Sequence, residues 1–149
     1  MKVLFVCTGN TCRSPMAEGF LNKIAKENND DSISAFSRGL AAYGERVSKN
    51  SLEASKKIDV QIDSHMSRQL TVDDIINADV VLTMTKDQCS FLKSEVGKYK
   101  DKIYCISEYA DSEEISDPYG QNLEVYEKCA QSLFNACRKI YEKHMKGQK

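Results

Sequence analysis

No stretch of the 149-residue chain reaches transmembrane length, and the net charge is only -1 with a pI near 6.1. The first lack argues against a spanning helix. The second argues against a general nucleic-acid or membrane-surface binder. Repeats, linkers and low-complexity tracts are missing too, so residues 1–149 read as a single domain. Cysteine and histidine are not gathered at metal-ligand spacings, and neither a metal nor another cofactor is expected. The apolar run near the start lacks a small-residue cleavage site and leads straight into a loop, so it reads as a core strand rather than a signal peptide. At 41% hydrophobic residues the chain can build a full core without a disulfide framework, and its six cysteines point to a reducing cytoplasm.

What the chain does have is concentrated between Val3 and Pro15. Val3 to Val6 is an unbroken apolar run too short for a helix, which reads as a strand covered on both faces of a parallel sheet. It delivers Cys7 to its carboxyl end. Ser14 then reads as a helix N-cap, with Pro15 at the first helical position and Ala17, Phe20, Leu21, Ile24 and Ala25 as an apolar stripe. Between strand end and helix start, Cys7, Thr8, Gly9, Asn10, Thr11, Cys12, Arg13 and Ser14 form a tight loop whose backbone N–H groups can cradle a phosphate. The same cradle, with Arg13 beside it, suits a thiolate nucleophile at Cys7. The planar fork of Arg13 can hold two phosphoryl oxygens.

Further strands are expected at Ile33 to Ser37, Asp79 to Met84 and Lys102 to Ile106, the first of them nearer the sheet edge. Helical patterns cover Ser48 to Ile58, a short segment after the Thr71-x-x-Asp74 box, a segment after the Thr85-x-x-Gln88 box, and Leu123 to His144. Gly39 and Gly44 mark a loop, and residues 107–122 form a long acidic one. Strand and helix alternate, which predicts an α/β, doubly wound four-stranded parallel sheet with helices on both faces. A ligand should bind beyond the strand carboxyl ends where the winding reverses, which is where Cys7 to Ser14 falls. The last strand releases Asp117-Pro118 on that same edge, so an acid can meet the nucleophile. Asp111, Glu113 and Glu114 read as a solvated charge run, and Lys143, Lys146 and Lys149 as a helix end that complements its dipole.

Cys7-Thr-Gly-Asn-Thr-Cys-Arg-Ser-Pro-Met-Ala-Glu18 resembles the signature of the low-molecular-weight protein tyrosine phosphatase family. Ser37-Arg38-Gly39, His65-Met-Ser-Arg-Gln69 and Asp117-Pro118-Tyr119 resemble its later segments, so the likeness spans the chain. It implies strand order 2-1-3-4, Cys7 as nucleophile, Arg13 as phosphate clamp and Asp117 as general acid and then base. It further implies that Asn10, in a left-handed conformation, is braced by His65, and that Ser14 stabilises the Cys7 sulfur as it leaves. Cys12 matches the family's resolving cysteine, so Cys7 and Cys12 form a candidate redox pair. The remaining cysteines read as packing.

Thr11 stands where tyrosine-specific members carry isoleucine or leucine and where the protein-arginine phosphatase branch carries threonine. Its hydroxyl could hydrogen-bond a guanidino nitrogen, while Tyr119 could stack on either a guanidinium or a phenyl ring. Leu40 is expected on the opposite wall. The resemblance thus implies phosphorylated protein substrates, phosphoarginine first and phosphotyrosine as the alternative. Arsenate reductase needs a pair of relay cysteines after the third strand, which Thr85 and Cys89 do not provide. A thiol redox sensor would have no use for a positioned Asp117. A monomer is the expected state.

Overall fold

The computed structural model describes residues 1–147, so of the tail lysines Lys149 lies outside the described residues. The chain runs β1 (Lys2–Cys7), α1 (Arg13–Glu27), β2 (Ser34–Gly39), α2 (Lys49–Lys56), α3 (Val72–Asn77), β3 (Val80–Thr83) and α4 (Lys86–Glu95). A 3-10 helix (Gly97–Lys102), β4 (Ile103–Cys105), α5 (Ile106–Tyr109) and α6 (Leu123–Gly147) complete it. The four strands form one parallel sheet in the order β2-β1-β3-β4. The winding therefore reverses beside β1.

Alternation along β1 explains the two-sided core. Val3, Phe5 and Cys7 face the layer of α1 and α6, while Leu4 and Val6 face the smaller layer under α3 and α4. Every residue from Val3 to Cys7 is buried, as a strand covered on both faces requires. Helix α6 packs along α1 and α2 through Tyr126, Cys129, Ala130, Leu133, Cys137 and Ile140. Both sequence boxes close reciprocally, Thr71 with Asp74 and Thr85 with Gln88.

Several boundaries differ from the sequence reading, each for a local reason. Helix α1 begins at Arg13 with Cys12 at the N-cap and no side-chain cap, because the Ser14 hydroxyl is engaged elsewhere. Pro15 is then the third helical residue, still inside the first turn where its missing N–H forfeits no helical bond. Strand β2 runs on to Gly39, which pairs with Cys7. Strand β4 is shorter than Lys102 to Ile106. Lys102 closes the 3-10 helix with Nζ 2.7 Å from the Ala78 carbonyl, and the buried Ile106 opens α5. Residues 106–109 of the expected strand and loop are thus helical.

The outer edge of β2 is occupied rather than open. Asn22 offers its side-chain oxygen to the Ala35 N–H at 2.9 Å and its NH2 to the Ala35 carbonyl at 3.0 Å. The Ser37 carbonyl accepts from Arg38, and Gly39 bonds to Arg68 and Leu70 on the passing segment.

Candidate active site

The cradle is built from β1 outward. Beyond Cys7 the chain turns through Asn10, whose φ of 56° is left-handed, and enters α1 at Arg13. Gly39 lets β2 approach this turn. A Cβ there would stand 2.8 Å from the Thr8 carbonyl oxygen and 3.0 Å from Asn10 Cβ. Cys7, Thr8, Gly9, Asn10, Thr11, Cys12 and Arg13 line a cavity of about 260 Å³ whose wall also includes Glu45, Asp117 and Tyr119. A larger open groove of about 970 Å³ lies along α1 and β2, but no cysteine lines it. Cys7, Arg13 and Asp117 line the smaller cavity.

Hydrogen-bond polarity around Asn10 can be read from its fixed ends. Its Oδ1 accepts from the Arg68 N–H at 2.9 Å, and His65 Nε2 lies 3.2 Å from the same oxygen and 3.1 Å from the Asn10 carbonyl. Both are acceptors, so Nε2 carries the ring hydrogen. Nδ2 must then donate, to Ser14 Oγ at 2.7 Å and to Ser37 Oγ at 3.0 Å. Ser37 passes its own hydrogen to Glu18 at 2.7 Å. Ser14 Oγ, already an acceptor, stands 2.9 Å from Cys7 Sγ and has a hydrogen to offer it. The Asn10 N–H lies 3.3 Å from that sulfur. The Ser14 hydroxyl and the Asn10 N–H thus both stand within hydrogen-bond distance of one buried sulfur.

Arg13 is equally constrained. Its Nη1 donates to the Ile115 carbonyl at 2.9 Å and its Nη2 stands 3.7 Å from Asp117 Oδ2. Asp117 is 55% exposed, with Oδ1 accepting from the Tyr119 N–H at 3.0 Å. Tyr119 is 75% exposed at the rim. Below the loop, the Cys12 thiol lies 3.4 Å from Ser48 Oγ and 3.7 Å from the Tyr126 hydroxyl. Burial first, and the hydrogen bond with Cys12 second, pushes the Tyr126 phenol up to about 12. Burial pushes the Cys129 thiol up to about 12 as well. Both stay neutral near pH 7 and put no charge beneath the cradle.

The structure brings Cys7, Thr8, Gly9, Asn10, Thr11, Cys12, Arg13, Asp117 and Tyr119 to one cavity, with Ser14 and His65 bonded to its loop. Leu40 is the exception. It packs against the core layer of Leu4 and Val6 and does not line the cavity, because its N–H is tied to the Cys7 carbonyl as β2 ends. Glu45 stands in the wall instead, its backbone held by two 2.7 Å bonds with the buried Ser67. No local pattern marked Glu45 or Ile115, and Glu18 closed the quoted signature without its bond to Ser37 being legible there. Ser37 lay inside a quoted segment, but its role depends on a contact 27 residues away in sequence.

A parallel sheet that opens an anion cradle onto a buried sulfur, at the point where its winding reverses, is the build of a small α/β phosphatase. The chain belongs to the low molecular weight phosphotyrosine protein phosphatase family, whose model matches residues 2–149. It is 38% identical over 146 residues to the low molecular weight protein-tyrosine-phosphatase PtpB of Staphylococcus epidermidis, covering 97% of this chain and 99% of that one. It is 31% identical over 152 positions to the protein-arginine-phosphatase of Bacillus subtilis, covering 100% of both. Its fold matches a solved YwlE arginine phosphatase, a Cys-to-Ser mutant with a phosphorylated active-site serine. The TM-score is 0.91 and the identity 31%, over 96% of this chain and 95% of that one. Family membership makes the protein a hydrolase of phosphorylated proteins. No helix among the described residues is long and apolar enough to cross a membrane.

Proposed function

We propose that the chain removes phosphate from phosphoarginine in proteins through a phosphocysteine intermediate. Cys7 Sγ attacks phosphorus in line, the S–P bond forming as the bond from phosphorus to the guanidino nitrogen breaks. Arg13 and the loop amides hold the equatorial oxygens, while Asp117 gives its proton to the departing nitrogen. Water then attacks phosphorus, its proton goes to the Asp117 carboxylate, and the S–P bond breaks. The Ser14 hydroxyl stabilises the sulfur that is released. The phosphorylated serine of the YwlE mutant supports this route. Disulfide protection belongs to the same reading. Peroxide would oxidise the Cys7 thiolate to a sulfenic acid, and the Cys12 thiol would displace water from it. Six free cysteines suit a reducing cytoplasm.

Thr11 carries the substrate assignment, because it lines the same cavity as Asp117, where a leaving nitrogen would need a hydrogen-bond partner. Phosphotyrosine is the second reading, favoured by the 38% identity to PtpB and by the exposed Tyr119 ring at the rim. Initial rates on phosphoarginine and phosphotyrosine peptides, for wild type, Thr11→Ile and Cys7→Ser, decide between them. Preference for phosphoarginine that moves to phosphotyrosine in Thr11→Ile supports the first. Wild-type preference for phosphotyrosine overturns it. Cys7→Ser reports any contaminating activity.

A further inference from the structure

Gln88 is the third residue of α4, and its part in the capping box fixes which way its amide points. Oε1 accepts from the Met84 N–H at 3.0 Å and the Thr85 N–H at 3.2 Å, so the NH2 group faces away from both. That NH2 group lies 3.1 Å from Thr8 Oγ1. An amide NH2 only donates. The Thr8 hydroxyl is therefore the acceptor, and its single hydrogen is free to point elsewhere. Thr8 follows Cys7 directly and lines the anion cavity, with its carbonyl held by the Ala41 N–H at 2.8 Å.

We infer that Gln88 is a positioning residue that sets the polarity of the Thr8 hydroxyl, so that Thr8 donates a hydrogen bond to an oxygen of the bound phosphoryl group. A threonine hydroxyl without such a neighbour rotates, and can turn a lone pair toward the anion as readily as its hydrogen. The amide narrows that freedom before the anion arrives, because the hydrogen can no longer point at Gln88. The helix cap thus reaches the cradle through one side chain. The inference rests on the phosphatase reading of the cavity but not on which phosphorylated residue enters it.

Gln88→Glu tests it. Glutamate at this position keeps the capping box, but its carboxylate only accepts, so the Thr8 hydroxyl must turn its hydrogen away from the anion. The expected result is an inhibition constant for inorganic phosphate raised about tenfold, the scale of one hydrogen bond to a charged group. KM should rise more than kcat falls, with the thermal midpoint unchanged. Gln88→Ala, which frees the hydroxyl but also removes the cap on the Met84 and Thr85 N–H groups, should give a smaller loss of about two- to threefold together with a lowered thermal midpoint. Thr8→Val should weaken phosphate as Gln88→Glu does, and neither Gln88 change should weaken it further on the Thr8→Val background. Undiminished phosphate binding in both Gln88 variants overturns the inference. So does an equal loss with and without the Thr8 hydroxyl, which would assign the effect to charge repulsion. A wild type that binds phosphate but turns over neither phosphoarginine nor phosphotyrosine breaks the functional reading instead and leaves this result standing.

Discussion

The two halves of the cavity are built in opposite ways. On one side Cys7 and Arg13 are 3% and 4% exposed, and the loop between them is bonded to α1, β2 and residues 65–68. On the other, Asp117 is 55% exposed on a loop, its carboxylate touched by the Tyr119 N–H and the Arg13 guanidinium. A cradle that must present several donors to one anion gains from rigidity. On the proposed route, an acid that must meet leaving groups of different proteins, and then a water, is better placed on a loop open to solvent. Changes on the two sides should accordingly fail differently.

The largest separation of activity from stability is expected at Asp117. Asp117→Asn should lower kcat by about 10²- to 10³-fold, while urea unfolding shifts by no more than about 0.5 kcal/mol. A comparable loss of stability would mean that the acid arm also holds the fold together. Asn10→Ala should damage both properties, because it removes the side-chain hydrogen bonds to Ser14, Ser37, His65 and Arg68 and leaves alanine in a left-handed turn. A loss of about 2–4 kcal/mol in unfolding free energy should accompany a fall of about 100-fold in kcat/KM. Near-wild-type rates in this variant would show that the loop is shaped without its brace. Ser37→Ala, one bond further from the sulfur, should lower stability by about 1–2 kcal/mol and rates only several-fold.

The smallest effect concerns pH. Burial raises the Cys129 thiol from its ordinary 9.0 to about 12 in the folded chain. The folded state then holds a proton that the unfolded state releases, so stability is fully present below pH 9 and falls as pH rises from 9 toward 12. The loss from this group should be about 1 kcal/mol at pH 10. Chemical unfolding at pH 8 and pH 10 should show a steeper loss in wild type than in Cys129→Ala. Equal slopes would place the alkaline sensitivity elsewhere.

Features set by near neighbours were legible in the amino-acid order. The run Val3 to Val6 could only be a strand buried on both faces, and the boxes at Thr71 and Thr85 close over three residues. Asn10 suited a left-handed turn for the same local reason. What escaped was decided across the fold. Ser14 is expected both as a cap and as a partner of the Cys7 sulfur, and it is not the cap because its hydroxyl is held by Asn10 beside Cys7. Leu40 is expected in the wall, but it packs half-buried against the layer of Leu4 and Val6, and Glu45 lines the cavity instead. The brevity of β4 likewise follows from Lys102 anchoring to Ala78, 24 residues earlier in the chain.

Asn22 gives the molecule a property apart from catalysis. A side-chain amide has the same donor and acceptor as a peptide unit, and here both are spent on Ala35 of the outermost long strand. With Gly39 engaged by residues 68 and 70, a second molecule finds few vacant backbone groups along β2 on which to lay a strand. The opposite border, β4, is only three residues long. Edge-to-edge polymerisation, the ordinary hazard of an open sheet, is thereby hindered at both ends.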